Sequence, residues 1–197
     1  RRRSRPCRRD DQCQNQTHST RPPVDPLERA PITVLNAADL DEVNHREGRW
    51  GGSHVVLTPN TRTLGRGLGV NQSRLPPGCA LVPFHFHMRE DEVFYILTGR
   101  GILRAGDTLR PLGPGDCISC PAGTKVAHQI ANPFDEDLVY LAIGGHDPHE
   151  VCGFPDTGKT FVRALGQVGR LDPQPYMAGE PDVPGIFALI DAAGLQP

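Results

Sequence analysis

From Pro31 onward the chain alternates short apolar runs with polar, glycine-bearing or proline-bearing stretches. Ile32, Val34 and Leu35, then residues 55–57 and 67–70, are runs of strand length, too short for a helical period to develop. Residues 92–97, EVFYIL, are apolar on both faces, which a half-exposed strand would not be. With Glu92 inward, Phe94 and Ile96 line the interior. Val93, Tyr95 and Leu97 then need another sheet or a second subunit, so a homodimer is expected. Residues 102–112 read as a hairpin turning at Gly106 and Asp107, and residues 137–144 contain a buried strand, LVYLAI. Residues 1–29 lack apolar periodicity and predict a mobile basic and polar tail. Residues 30–164 form the folded domain. Residues 165–197 form an extension whose patch of Ile186, Phe187, Leu189 and Ile190 predicts a strap or short helix packed on the domain or on a partner.

Composition sharpens this picture. A chain of 197 residues, 37% hydrophobic, can bury one core. Its 22 glycines and 20 prolines favour many strands joined by turns, an all-β fold. The formal charge of −2 divides into +6 over residues 1–9 and −8 over the rest, so a nucleic-acid surface on the domain is not expected. Six cysteines could signal a disulfide framework, but Cys79, Cys117 and Cys120 lie in apolar, strand-like segments and read as reduced core or pocket residues. No stretch is long and apolar enough to cross a bilayer, and no signal-peptide pattern follows the arginines; a cytoplasmic protein is the expectation.

Candidate chemistry centres on residues 78–101, GCALVPFHFHMREDEVFYILTGRG. Residues two apart on a strand share a face, so His85 and His87 present two imidazoles together. Glu92 comes soon after, and residues 115–132 add His128, with Asn132 four residues later. Three imidazoles and a carboxylate suit a divalent transition metal, Fe, Mn, Ni, Co, Zn or Cu, better than calcium or magnesium. In an octahedral arrangement four protein ligands would leave two positions for a small-molecule substrate, water or dioxygen.

These residues resemble the cupin family. The pattern G-x5-H-x-H-x3,4-E-x6-G is met by His85, His87, Glu92 and Gly99, with six residues instead of five between Gly78 and His85. The pattern G-x5-P-x-G-x2-H-x3-N is met by Gly115, Pro121, Gly123, His128 and Asn132, with four residues instead of two before the histidine. Both extra lengths fall in turns, where insertions are tolerated. The resemblance implies a cupin-type double-stranded β-helix, a jelly-roll barrel, with irregular N- and C-terminal extensions. It spans dioxygenases, sugar-phosphate isomerases, decarboxylases, storage proteins and ligand-binding modules, so it implies a site and leaves the reaction open.

Two function classes are in play. One is a metal-dependent enzyme of dioxygenase or isomerase type acting on a small oxygen-rich substrate, with Tyr95, Gln129 and Arg104 as candidate catalytic groups around the ion. The other is a non-catalytic binder of a sugar or organic acid. A nucleotide-binding reading would rest on residues 153–160, GFPDTGKT, which match the phosphate-loop pattern through Lys159. Gly166 and Gly169 interrupt the helix such a loop requires, and a surface turn is expected instead. Trp50, in a turn-like GRWGG stretch, is expected to serve as a packing lid.

Overall fold

The structure, a computed structural model, describes residues 32–61 and 67–195. The tail expected over residues 1–29 lies outside the described residues, as do Cys7 and Cys13. From Val34 onward the described residues belong to one compact unit.

Among the described residues this unit contains fourteen strands. They are β1 (Val43–Glu47), β2 (Trp50–Val56), β3 (Gly69–Leu75), β4 (Cys79–Ala80), β5 (Phe86–His87), β6 (Glu92–Thr98), β7 (Gly101–Ala105), β8 (Thr108–Leu112), β9 (Cys117–Cys120), β10 (His128–Asn132), β11 (Leu138–Gly144), β12 (Val151–Phe154), β13 (Lys159–Val162) and β14 (Gln167–Gly169). The larger sheet runs β8-β7-β10-β4-β2-β3-β11-β6-β9, with β1 added on β2; the smaller runs β14-β13-β12-β5. Every pairing is antiparallel except β2 with β4. A curled mixed sheet of this kind, facing a smaller one, is the jelly-roll arrangement that the sequence predicts.

The core reflects the alternation along the strands. On β6, Phe94 and Ile96 are buried while Tyr95, between them, is 40% exposed. Their neighbours in the core are Leu75, Leu103, Leu112, Ile130, Leu138 and Tyr140, so β3, β7, β8, β10 and β11 all turn one face to it. Between β6 and β7 the chain reverses at Gly99, whose φ is 77°. A Cβ there would lie 2.1 Å from the Asp137 carbonyl oxygen, so only glycine allows β11 to approach this turn.

Several sequence expectations meet this structure directly. The hairpin at Gly106 and Asp107 forms between β7 and β8. Residues 153–160 form a hairpin between β12 and β13, and Lys159 begins a strand instead of a helix. The GRWGG stretch is not a turn throughout: Trp50, Gly51 and Gly52 start β2, where a Cβ on Gly52 would stand 2.6 Å from the Arg74 carbonyl oxygen on β3. The apolar patch near the C-terminus forms the short helix α1 (Ile186–Ala192), and none of its residues is buried. The covered face expected of it is therefore not formed within the described residues.

Candidate metal centre

Backbone pairing brings the two histidine segments together. His85 N–H donates to the His128 carbonyl at 3.2 Å and His128 N–H returns a bond to His85 at 2.8 Å, locking the start of β10 against the loop before β5. Glu92 opens β6, between Cys120 on β9 and Gly144 on β11. His87 sits on β5, whose strand partner is β12.

The four side chains converge. His85 Nε2 lies 3.1 Å from His87 Nε2. Glu92 Oε2 is 2.8 Å from His128 Nε2, 3.3 Å from His87 Nε2 and 3.7 Å from His85 Nε2. Two donors about 2.0–2.1 Å from one ion and at right angles would stand about 3.0 Å apart, so these separations fit a shared divalent cation. His85, His87 and Glu92 have mutually close donor atoms, whereas His128 joins through Glu92.

The electrostatics fit as well. Burial, then the neighbouring His128, lowers His85 to about 4, so its imidazole stays neutral. Burial also disfavours charge on His87, but hydrogen bonds to Cys152 and Glu92 outweigh it and raise the value to about 10. For Glu92, burial works to raise the carboxyl, yet the bonds from His128 and His87 hold it well below the ordinary carboxylate range. Without an ion, the cluster is thus a protonated His87 beside an ionised Glu92.

Behind His87 lies a second group that sequence reasoning missed. Its Nδ1 is 3.3 Å from Cys152 Sγ, 3.6 Å from Glu150 Oε1 and 3.8 Å from Glu90 Oε2. Both carboxylates are already committed. Glu150, fully buried, accepts from the backbone N–H of Met88 at 2.8 Å and of Arg89 at 3.0 Å. Glu90 is gripped by the Arg163 guanidinium, with Nη2 to Oε2 at 2.9 Å, and accepts from Asp147 N–H. With its acceptors satisfied, this group is a brace that orients the ring and turns Nε2 toward His85 and Glu92. His85 is held similarly, Nδ1 to the Pro83 carbonyl at 2.8 Å. His128 Nδ1 is buried with no partner.

The cluster opens into a cavity of about 380 Å³ whose walls include His45, His54, Asn71, Ser73, Leu81, Val82, Phe94, Gln129, Ile130 and Tyr140. Of the three candidate catalytic groups, only Gln129 borders it, and its amide donates to the Val82 carbonyl at 2.9 Å. Tyr95 faces away because Phe94 and Ile96, on either side of it, face in. Arg104 is drawn outward into a two-pronged pair with Asp156, at 2.7 and 3.0 Å, and stacks 3.5 Å above the Phe84 ring. Neither Tyr95 nor Arg104 is brought to the cluster. Asn132 serves as a clamp, its amide donating to the Leu75 and Glu136 carbonyls. The four described cysteines are free; Cys117 is exposed and lines no part of this cavity, so it is not the core residue expected, but it borders a shallow pocket beside β8 and β9.

Comparison with known proteins agrees with this fold. The family model described as Cupin domain matches residues 71–144. A sugar phosphate isomerase of the cupin superfamily from Silicibacter pomeroyi DSS-3 superposes with a TM-score of 0.63 at 28% identity, covering 74% of this chain and 98% of that one. A structure from Acidithiobacillus ferrooxidans, provisionally named a sugar phosphate isomerase, gives 0.63 at 25% identity over 76% and 96%. An oxalate-binding protein of Thermotoga maritima is 36% identical over 70 residues, 36% of this chain and 55% of the relative. The chain thus spans about half the length of that curated relative. Through the jelly-roll sheet and the match over residues 71–144, this part of the chain is a cupin domain.

Proposed function

We propose that His85, His87, Glu92 and His128 hold one divalent transition metal, and that the protein is an enzyme acting on a small oxygen-rich substrate chelated to it. The observation that carries this reading is the convergence of three imidazole nitrogens and one carboxylate oxygen, 2.8–3.7 Å from one another along the measured pairs, at the wall of a cavity. When bound, such an ion supplies Lewis acidity to a chelated hydroxyl, carbonyl or carboxylate. The chain's own groups orient the ligand. Tyr140, whose phenol burial pushes up, stays neutral and hydrogen-bonded to Ser73. The Gln129 carbonyl end and His54 offer further polar contacts on the wall. Isomerase chemistry is favoured within this reading by the two structural neighbours so named, each matched over nearly its whole length.

A second reading, a binder without turnover, draws support from the resemblance to an oxalate-binding protein. Metal content and turnover separate the two. The enzyme reading expects about one transition metal per chain and conversion of a keto acid, enediol, phenol or sugar in proportion to metal content, with oxygen uptake if dioxygen is a co-substrate. Metal-dependent binding of an organic acid with no conversion of any of these would replace it by the binder. A preparation that takes up no Fe, Mn, Ni, Co, Zn or Cu removes the metal-enzyme reading.

A further inference from the structure

The cavity holds a second pair of histidines that the metal cluster leaves unused. His45 on β1 and His54 on β2 both border it, together with His85, Glu92 and His128. Val43 stands opposite His54, and His45 opposite Gly52, so both imidazoles belong to the cavity face of this hairpin. The two are held differently. At His54, β2 is paired on both sides, with Val43 of β1 and with Ser73 of β3, and the residue is half-buried. β1 has a partner only in β2 among the described residues, and all five of its residues, His45 included, are exposed. Of the two, His54 has the fixed backbone that a reacting group needs.

Isomerase chemistry, favoured above, requires a group that takes a proton from one carbon and returns it to the next. Such a group works best when its pKa lies near neutrality, which for an unperturbed side chain means histidine. The other ionisable groups that face His54 are committed or unsuited. His85, Glu92 and His128 are donors for the ion, and the Tyr140 phenol, on β11, is pushed up by burial and bonded to Ser73. From β1 only His45 faces it, β3 contributes the uncharged Asn71 and Ser73, and the chain after β4 contributes Leu81 and Val82. The charged pair of Glu42 and Arg74 gathers around Ser53, on the opposite face of the sheet. Residues 62–66, RTLGR, contain no imidazole.

We infer that His54 is the proton-transfer residue of this pocket, acting between the two neighbouring carbons of a 2-hydroxy aldehyde or its ketone isomer. This rests on the metal-enzyme reading above and assigns its acid-base step. The neutral imidazole takes the proton from the carbon that bears the hydroxyl. The C–H electron pair becomes the C=C bond of an enediolate, and the carbonyl π pair moves onto oxygen. The imidazolium then returns a proton to the former carbonyl carbon while the hydroxyl proton passes from one oxygen to the other. Aldehyde and ketone thus interconvert with the imidazole neutral again and with no oxidant or co-reactant.

The test incubates the Zn²⁺-loaded protein in D₂O with glyceraldehyde, dihydroxyacetone or xylose and follows isomer formation and deuterium uptake by proton NMR, against Zn²⁺ in buffer alone. At least one probe is expected to react about a hundredfold or more faster with the wild type than in buffer. In His54→Gln, shown by circular dichroism and Zn²⁺ stoichiometry to be folded and loaded, that rate should fall by about a hundredfold with KM changed by less than about threefold. Imidazole added to His54→Ala should restore part of it, and His45→Gln should stay within about threefold of wild type. At full Zn²⁺ occupancy the wild-type rate should rise with pH through the histidine range, around 6.5, and then level off as the imidazole loses its proton. A wild-type rate flat from about pH 5 to 8 would overturn the inference and leave the metal reading intact, whether or not the variants fold. So would an undiminished rate in His54→Gln, an equal loss in His45→Gln, or a fully loaded wild type that acts on none of the probes. A protein that takes up no Zn²⁺ would overturn the metal reading and this inference with it.

Discussion

The three histidines around Glu92 are supported unequally, and that inequality has measurable consequences. His87 is braced by Cys152 and flanked by Glu90 and Glu150, His85 is tied to Pro83, and His128 Nδ1 has nothing to hold it. Partners of this kind are worth about 10–100-fold in metal affinity. Cys152→Ala is therefore expected to weaken Zn²⁺ or Mn²⁺ binding by about that factor, and His87→Ala by more, while His128→Ala should cost least of the three histidine deletions; competition with a chromophoric chelator ranks them. Equal losses for all three would show that the brace contributes nothing. The same residues set the acidity of the site. His87 is raised to about 10 and so carries a proton at pH 7 that an incoming ion must displace. Metal affinity should climb as pH rises from 7 and level off near 10, with proton release seen as a calorimetric heat that depends on the buffer. The four residues of the cluster were legible in the sequence because each lies in a dense local pattern. Glu150, Cys152 and Arg163 were not: they lie more than sixty residues from the atoms they contact, and only strand pairing reveals the meeting.

At the scale of the element, β5 is the weakly anchored link. It is two residues long and is held in the smaller sheet by β12, with Cys152 opposite His87 and Gly153 opposite Phe86. The Phe86 ring lies over Gly153, where a Cβ would be 2.2 Å from the ring. Gly153→Ala must push the ring aside and shift the strand that carries His87, so both stability and metal affinity should fall; overpacking of this kind costs about 1–3 kcal/mol. Urea denaturation and a metal titration check the two effects, and a variant with native affinity would mean that Phe86 moves without its neighbour. Strand existence was readable in β6, β7, β8 and β11, where alternation or a long apolar run is strong. Short strands such as β4 and β5 carry no period of their own, and Trp50 to Gly52 look like a turn because two glycines in sequence usually mark one. Here they instead allow the backbones of β2 and β3 to meet closely.

For the whole molecule, binding to the folded form alone sets the expected stabilisation. At a free-metal concentration about a hundred times the dissociation constant the gain is about 2.7 kcal/mol, enough to raise Tm by several degrees, and a thermal melt with and without Mn²⁺ reads it. The same melt with ATP or GTP should show no shift, in wild type or in Lys159→Ala. Lys159 begins a strand after a tight turn in which Gly158 has φ 64°, and its ammonium lies near the Phe154 ring at 6.0 Å, so no helix N-terminus is present to cradle a phosphate. An all-β fold was predictable at this scale from short runs and turn residues, and the jelly roll came only with the resemblance to cupins. The place of Arg104 was not, since its pairing with Asp156 depends on a hairpin that passes beside β7 only in three dimensions.

The dependence of β5 on β12 also fixes an order in time. His87 reaches Cys152 across 65 residues of chain, and contacts of such long range close late when a sheet of this topology assembles. The donor set would then be complete only after the rate-limiting barrier to folding has been crossed. An ion captured by a finished cluster should leave the refolding rate almost untouched and slow unfolding alone. In stopped-flow traces, Mn²⁺ should lower the unfolding arm of the chevron by the full equilibrium gain and leave the refolding arm where it stands without metal; a faster refolding arm would mean that the histidines gather around the ion before the barrel closes.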